Sequence, residues 1–286
     1  MKNTQIVFKR IFSKELIDNL KNEKLFNDKL LQDIQNGNVF PAIRKNYIDF
    51  YYKGGRLFHY DKNGFETHIK YAAVILEPNK SYLNDKIDYT FKVNFLDHYE
   101  RIKENCANYA GTESIGVSDL YHQFSYVFPK DIVVLDIELS LESLEEGKKS
   151  DRIDILLFSN QSQELHFVEA KYYSNSEIWS NTQAKVISQI ERYNKQISTR
   201  EKDILDAYYN YNIAVNNLFG LSLKAPLKVF QYVTLFIFGF DDDQKRHRLN
   251  TLILENASYK NKNIYNYCKG NTKKMDIKPL WNSKLL

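Results

Sequence analysis

The 286-residue chain has only two cysteines, Cys106 and Cys268, far apart and without metal-ligand spacing. This rules out a disulfide framework or a zinc cluster as its organising device. Free thiols in a reducing, cytoplasmic setting are the expectation. Long apolar runs are missing too. The longest, Val229 to Phe240, is interrupted by Gln231 and Thr234; it is too short to span a bilayer and reads as a buried strand, so no membrane partner is expected. The opening Met1–Arg10 segment lacks the apolar core of a secretory signal. There is no internal repeat, no low-complexity tract and no glycine-rich phosphate loop, and with that loop goes the case for ATP use. Neither sign of charge dominates: 40 Lys and Arg against 36 Asp and Glu give a net +4, which suits a nucleic-acid partner without requiring one. What the chain does have is rings, 21 Tyr and 18 Phe, within a 43% hydrophobic composition that can build a real core.

The first part of the chain, 1–85, reads as helices followed by a β-meander. Ser13 can cap a helix carrying Leu16, Ile17 and Leu20 on one face. A second helical piece holds Phe26, Leu30, Leu31 and Ile34 and stops at Gly37. From Val39 to Ile75 the residues are aromatic and β-branched, and Gly54-Gly55 and Asn63-Gly64 are two-residue hairpin signals. Four antiparallel strands are expected, near 39–44, 47–53, 56–60 and 65–75. Arg44 and Arg56, interleaved with Tyr47, Phe50, Tyr51 and Phe58, are candidate nucleic-acid contacts; a half-buried sheet with an ordinary solvated face is the other reading. The polar stretch Pro78 to Lys86 marks a boundary, which leaves 86–286 as a second domain.

The centre of that second domain is a strand hairpin. Asp151 to Phe158 and Leu165 to Tyr172 flank a polar Ser-Asn-Gln-Ser-Gln turn at 159–163. In the second strand, period two puts Phe167, Glu169 and Lys171 on one face. A carboxylate and an ammonium in an apolar strand need a partner or a metal, because burying unpaired charge is costly. Asp154 on the neighbouring strand can converge with Glu169 on one Mg²⁺ or Mn²⁺, hard cations suited to a few carboxylates plus water. Such an ion acidifies water and offsets charge on a phosphodiester; Lys171 can hold that water and neutralise the developing oxyanion. An acidic-any-Lys triplet is weak alone: Glu146-Gly-Lys148, Asp243-Gln-Lys245 and Asp276-Ile-Lys278 also fit. Only Glu169-Ala170-Lys171 lies in an apolar strand one hairpin after an acidic one. Read as structure alone, Glu169 and Lys171 would be an ion pair and Tyr193 a core residue.

Ile153-Asp154 with Glu169-Ala170-Lys171 resembles the PD-(D/E)XK, or restriction-endonuclease-like, nuclease superfamily, with Ile153 in place of the proline. Gln189-x-x-x-Tyr193 is similar to a motif found one helix after the lysine in a branch related to recombination and CRISPR-adaptation exonucleases. At i,i+4 these two side chains share a helix face. The resemblance covers roughly residues 97 to 240. It implies an α/β fold with a mixed central sheet and an αβββαβ core, preceded by the helix-and-meander module. It implies Asp154 and Glu169 as metal ligands, with the Ala170 carbonyl as a third, and Lys171 on the water. Gln189 and Tyr193 would support phosphate or lysine. It also implies an auxiliary acid on a preceding helix, for which Glu104 and Glu113 are candidates.

Ile132 to Leu141 is a strand whose Glu138 is a candidate further ligand or water-positioning base. Helices are expected over 95–109, from 112 to 128, and over 181–196, 202–218 and 241–254. A strand at 229–238 and a basic tail complete the reading. The function this implies is a Mg²⁺- or Mn²⁺-dependent hydrolase of phosphodiester bonds in DNA, set in bacterial defence, restriction or repair, with a homodimer compatible. The alternative is a catalytically silent nuclease fold that binds nucleic acid or a protein partner; the intact Asp, Glu and Lys weigh against it.

Overall fold

Two sheets organise the described residues. The computed structural model describes residues 8–76, 95–144, 150–180 and 184–286. The contacts divide it into two compact units. One comprises Arg10–Val127 and Asn210–Ser222; the other is Phe128–Tyr209 and Leu223–Leu286 with the start of the chain. The boundary expected around 78–86 lies outside the described residues. The division instead falls at 127/128, because the helices after that stretch pack with the meander.

In the meander unit, α1 (Lys14–Asn22) is capped by Ser13, whose Oγ accepts from Leu16 N. A π-helical turn, Phe26–Leu30, leads into α2 (Leu31–Gln35). The sheet β1 (Val39–Ile43), β2 (Ile48–Tyr52), β3 (Gly55–Asp61) and β4 (Gly64–Glu66) is antiparallel in chain order. The fourth strand is the correction. It ends at Glu66 rather than continuing to 75, and Ile69–Leu76 is a helix, α3. The run after His68 contains paired alanines, which favour helix over strand, and Tyr71 O accepts from Asn105 Nδ2 of α4 (Tyr99–Asn108) at 2.8 Å. Helix α5 (Thr112–Phe124) follows. Phe40 packs its ring on Tyr121 and Tyr126, 5.3 and 5.4 Å between centroids, and Tyr126 Oη donates to Pro41 O at 2.7 Å. Asp33 accepts from Lys103 Nζ at 2.6 Å and Tyr99 Oη at 2.7 Å. Burial opposes its ionisation, but bonds from Lys103, Tyr99 and Asn38 and the lysine's charge outweigh that and hold it below the usual carboxylate range.

The second unit is built on a mixed sheet of order β11-β10-β9-β7-β6-β5. Its strands are β5 (Ile132–Leu141), β6 (Asp151–Ser159), β7 (Glu164–Tyr172), β8 (Lys228–Val229), β9 (Thr234–Phe238), β10 (Tyr265–Lys269) and β11 (Lys284–Leu285). β5, β6 and β7 are antiparallel neighbours, whereas β7–β9 and β9–β10 are parallel. Between β7 and β9 the chain forms α6 (Lys185–Thr199) and α7 (Glu201–Phe219). The first half of α7 belongs to this unit and the rest, from Asn210, to the other.

β9 is buried at all five positions between β7 and β10, which is why its sequence is nearly continuous in apolar residues. The expected strand 229–238 is broken. Lys228–Val229 pairs with the start of β7 and pairing resumes at Thr234, with Val233 N donating to Asn194 Oδ1 between. In α6 the stripe Val186, Ile190, Tyr193 and Ile197 is buried; each such aliphatic side chain contributes about 1.5–3 kcal/mol. After a short helix whose capping box joins Asp241 and Gln244, residues Lys245–Leu254 form a π-helix. No described helix is long and apolar enough to cross a membrane.

Candidate active site

β6 and β7 pair from Ser159↔Glu164 as far as Ile155↔Val168 and then part. β6 stays paired with β5 beyond that point, through Ile153, Arg152 and Asp151. The next residues on the diverging strands are Asp154 and Glu169. Asp154 replaces the lost ladder bond with its side chain: Oδ2 accepts from Ala170 N at 2.8 Å. The aspartate is thereby fixed against the backbone between Glu169 and Lys171, so the sequence-predicted trio is brought together.

Glu169 and Lys171 share a face of β7. Lys171 Nζ lies 2.7 Å from Glu169 Oε1, and the two residues are only 5% and 1% exposed. Two charges so far from water are tolerable only as a pair. Gln189 on α6 donates Nε2 to the same Oε1 at 2.8 Å and to Tyr193 Oη at 2.6 Å, and that hydroxyl donates to Arg152 O at 2.6 Å. The i,i+4 pair therefore ties α6 to both diverging strands. Burial, followed by the Glu169 charge, pushes the Tyr193 phenol well above its ordinary range. It is a neutral hydrogen-bonding group that positions its neighbours, not a phenolate base.

A further acid, unforeseen from the sequence, touches the lysine. Glu177 Oε2 sits 3.3 Å from Lys171 Nζ, on the 3-10 turn Ser176–Ile178 that follows β7. Asn175 caps this turn, its Oδ1 accepting from Glu177 N at 2.9 Å. The Asn-Ser-Glu sequence is a capping signal of the usual kind; the contact with Lys171 depends on where the turn folds back and has no local signature.

Glu138 stands level with Asp154, between the pairs Ile137↔Ile155 and Leu139↔Ile153. Its backbone has φ +52°, a conformation uncommon for a glutamate, and its carboxylate takes Arg152 Nε at 3.0 Å. Strand alternation would put Asp136, two residues before Glu138, on the same face of β5 as that glutamate. Asp136 is instead fully buried beside an irregularity in the β5–β6 register, accepting from Tyr208 Oη and Ile137 N, each at 2.8 Å. Such a slip re-aims a side chain without changing the strand's composition.

Arg44 and Arg56 part company. Arg44 is 7% exposed and donates Nη1 to Ile43 O at 3.1 Å, so its charge is not offered to a polyanion. Arg56 has a half-exposed side chain 3.7 Å from Asp49. Glu104 and Glu113 lie on α4 and α5 of the meander unit.

Among the described residues no cluster of three or more His, Cys, Asp or Glu could hold a metal. The set present, two carboxylates on parting strands, is of hard oxygen donors. It fits a cation that keeps several waters, as Mg²⁺ does, and not a protein cage or a softer, thiolate-preferring ion. Comparison with protein-family models, curated proteins and solved structures returned no match.

Proposed function

We propose that the chain is a metal-dependent nuclease of the PD-(D/E)XK type, hydrolysing phosphodiester bonds, with DNA as its substrate. The observation that carries this reading is the meeting of Asp154, Glu169 and Lys171 where β6 leaves β7, with Asp154 bound to the amide between the other two. The antiparallel β5–β6–β7 succession, the helices after it and the parallel β9 suit a restriction-endonuclease-like core.

Asp154 and Glu169 would hold Mg²⁺ or Mn²⁺, with the Ala170 carbonyl as a third donor. When bound, the ion supplies Lewis acidity toward water and the phosphate oxygens. Lys171 presents a compact ammonium, held at 2.7 Å by Glu169, to orient the attacking water and offset charge on the phosphate as it grows. Gln189 keeps Glu169 Oε1 in place and Tyr193 keeps Gln189 in place; both act by positioning. Glu138, held by Arg152, would serve as a further ligand or as the base that positions the water.

The test is incubation of the purified protein with Mg²⁺ or Mn²⁺ and a panel of linear, circular, single-stranded and RNA substrates, with Glu169→Gln in parallel. Cleavage that needs the divalent ion and is lost in the variant supports the reading. Binding without cleavage by either protein would point to the silent fold.

A further inference from the structure

The turn that carries Glu177 onto Lys171 has a second end. Trp179 follows Glu177 by two residues, within about 7 Å of chain. Its indole is fixed: Nε1 donates to Tyr173 O at 2.8 Å and its ring meets the Tyr173 ring edge-on at 5.0 Å. The turn itself is pinned by Tyr259 Oη, which donates to Ile178 O at 2.6 Å. Over the indole lies the guanidinium of Arg248, 4.2 Å from the ring centroid. Arg248 comes from the π-helical stretch Lys245–Leu254, whose Leu249 and Ile253 are buried while Arg248 is exposed.

Three other arginines of the unit face a carboxylate. Arg152 faces Glu138, Arg192 faces Asp151 and Arg246 faces Asp243. Arg248 forms no ion pair among the described residues; an aromatic face holds it instead. A ring orients a guanidinium plane without cancelling its charge or using its N–H donors. The result is an exposed cation held on an aromatic face, against the turn whose Glu177 meets the lysine of the site. A guanidinium that keeps its N–H donors in this way can recognise phosphate in its own plane.

We propose that Trp179 and Arg248 form a phosphate-contact subsite for a nucleic-acid strand, beside the Lys171 end of the site. The identity of the ligand rests on the nuclease reading; the subsite is testable apart from it. The full-length protein would be titrated in EDTA, where no metal-dependent cleavage occurs, against fluorescein-labelled single-stranded and duplex DNA over a range of KCl concentrations. Arg248→Ala is expected to weaken binding about tenfold, the worth of one charge-assisted contact. It should also reduce the slope of log affinity against log salt by about 0.9 on duplex or 0.7 on single strands. Trp179→Leu, with charge unchanged, is expected to weaken binding as well, and Trp179→Phe, which keeps a ring, to restore most of it. Circular dichroism checks that each variant folds, and Arg248→Gln serves if the alanine variant does not. Affinity and slope equal to wild type in Arg248→Ala would overturn the proposal. So would an equal loss in Arg246→Ala, which would reduce the effect to general basicity, or no binding by the wild type. Arg248-dependent binding by a protein that cleaves nothing with Mg²⁺ or Mn²⁺ would leave the subsite standing and sink the nuclease reading.

Discussion

Removing Lys171 is expected to cost more stability than removing the charge of Glu169, although the two form one ion pair. In Lys171→Met the Glu169 carboxylate stays at 1% exposure and exchanges a cation at 2.7 Å for an apolar chain, with the neutral Gln189 amide still on Oε1. Breaking a buried pair from one side costs about 3–5 kcal/mol. In Glu169→Gln the lysine keeps Glu177 at 3.3 Å, a carboxylate partly open to water, and the new amide is isosteric, so about 1–3 kcal/mol is expected. The double variant strands no charge on Glu169. Its cost should fall below the sum of the single costs by about 2 kcal/mol, the size of coupling between groups in direct contact. Urea unfolding followed by circular dichroism in EDTA gives all four free energies, provided the slopes agree. Additive costs would refute the buried pair. A larger cost for Glu169→Gln than for Lys171→Met would refute the compensation by Glu177.

Tyr193→Phe removes the hydroxyl that links Gln189 to Arg152 O; it should cost about 1 kcal/mol of stability and lower cleavage turnover more than substrate affinity, as kcat and KM measured separately would show. His166 stacks between Phe230 and Trp281, and burial pushes its imidazole down to about 4 although Glu164 lies 3.7 Å away. Because the folded value is depressed, its contribution is full above about pH 6.5, falls as pH drops and levels off below about 4, a span of about 3 kcal/mol; His166→Phe should flatten that part of the stability–pH curve, and an unchanged curve would contradict it. Arg56→Glu should weaken DNA binding and its salt dependence if the meander meets substrate, whereas Arg44→Glu, at a buried position, should lower the melting temperature instead. Gly239 has φ +80° and a Cβ there would overlap the Tyr172 ring; Gly239→Ala should destabilise by more than about 1 kcal/mol, read by thermal unfolding.

Elements with a strong local period were legible. The hairpin Asp151–Tyr172, the strand Ile132–Leu141 and the stripe of α6 follow from alternation and from i,i+4 spacing. Asp154, Glu169 and Lys171 were legible because charge in an apolar strand is conspicuous. What escaped depends on tertiary placement. Ile69–Leu76 is apolar apart from Lys70, and such a run is ambiguous between strand and helix until a neighbour such as Asn105 decides it. Asp136 moves inward by a one-residue slip that leaves no trace in composition. Arg44 is buried just past β1, whose five positions are all covered as well, which an alternation rule applied to a meander does not foresee. Glu177 meets Lys171 only because a turn doubles back.

The central claim is that Asp154 and Glu169 hold a divalent ion that Lys171 helps use on a phosphodiester. Titration calorimetry of Mn²⁺ into wild type and Glu169→Gln tests it most directly, with cleavage of labelled DNA followed on the same samples and on Lys171→Ala. The account predicts saturable binding by wild type, binding weakened at least about tenfold in Glu169→Gln, where a ligand charge becomes a neutral amide, and cleavage lost by orders of magnitude in both variants. Equal Mn²⁺ affinity in wild type and Glu169→Gln, or wild-type turnover in Lys171→Ala, would contradict it.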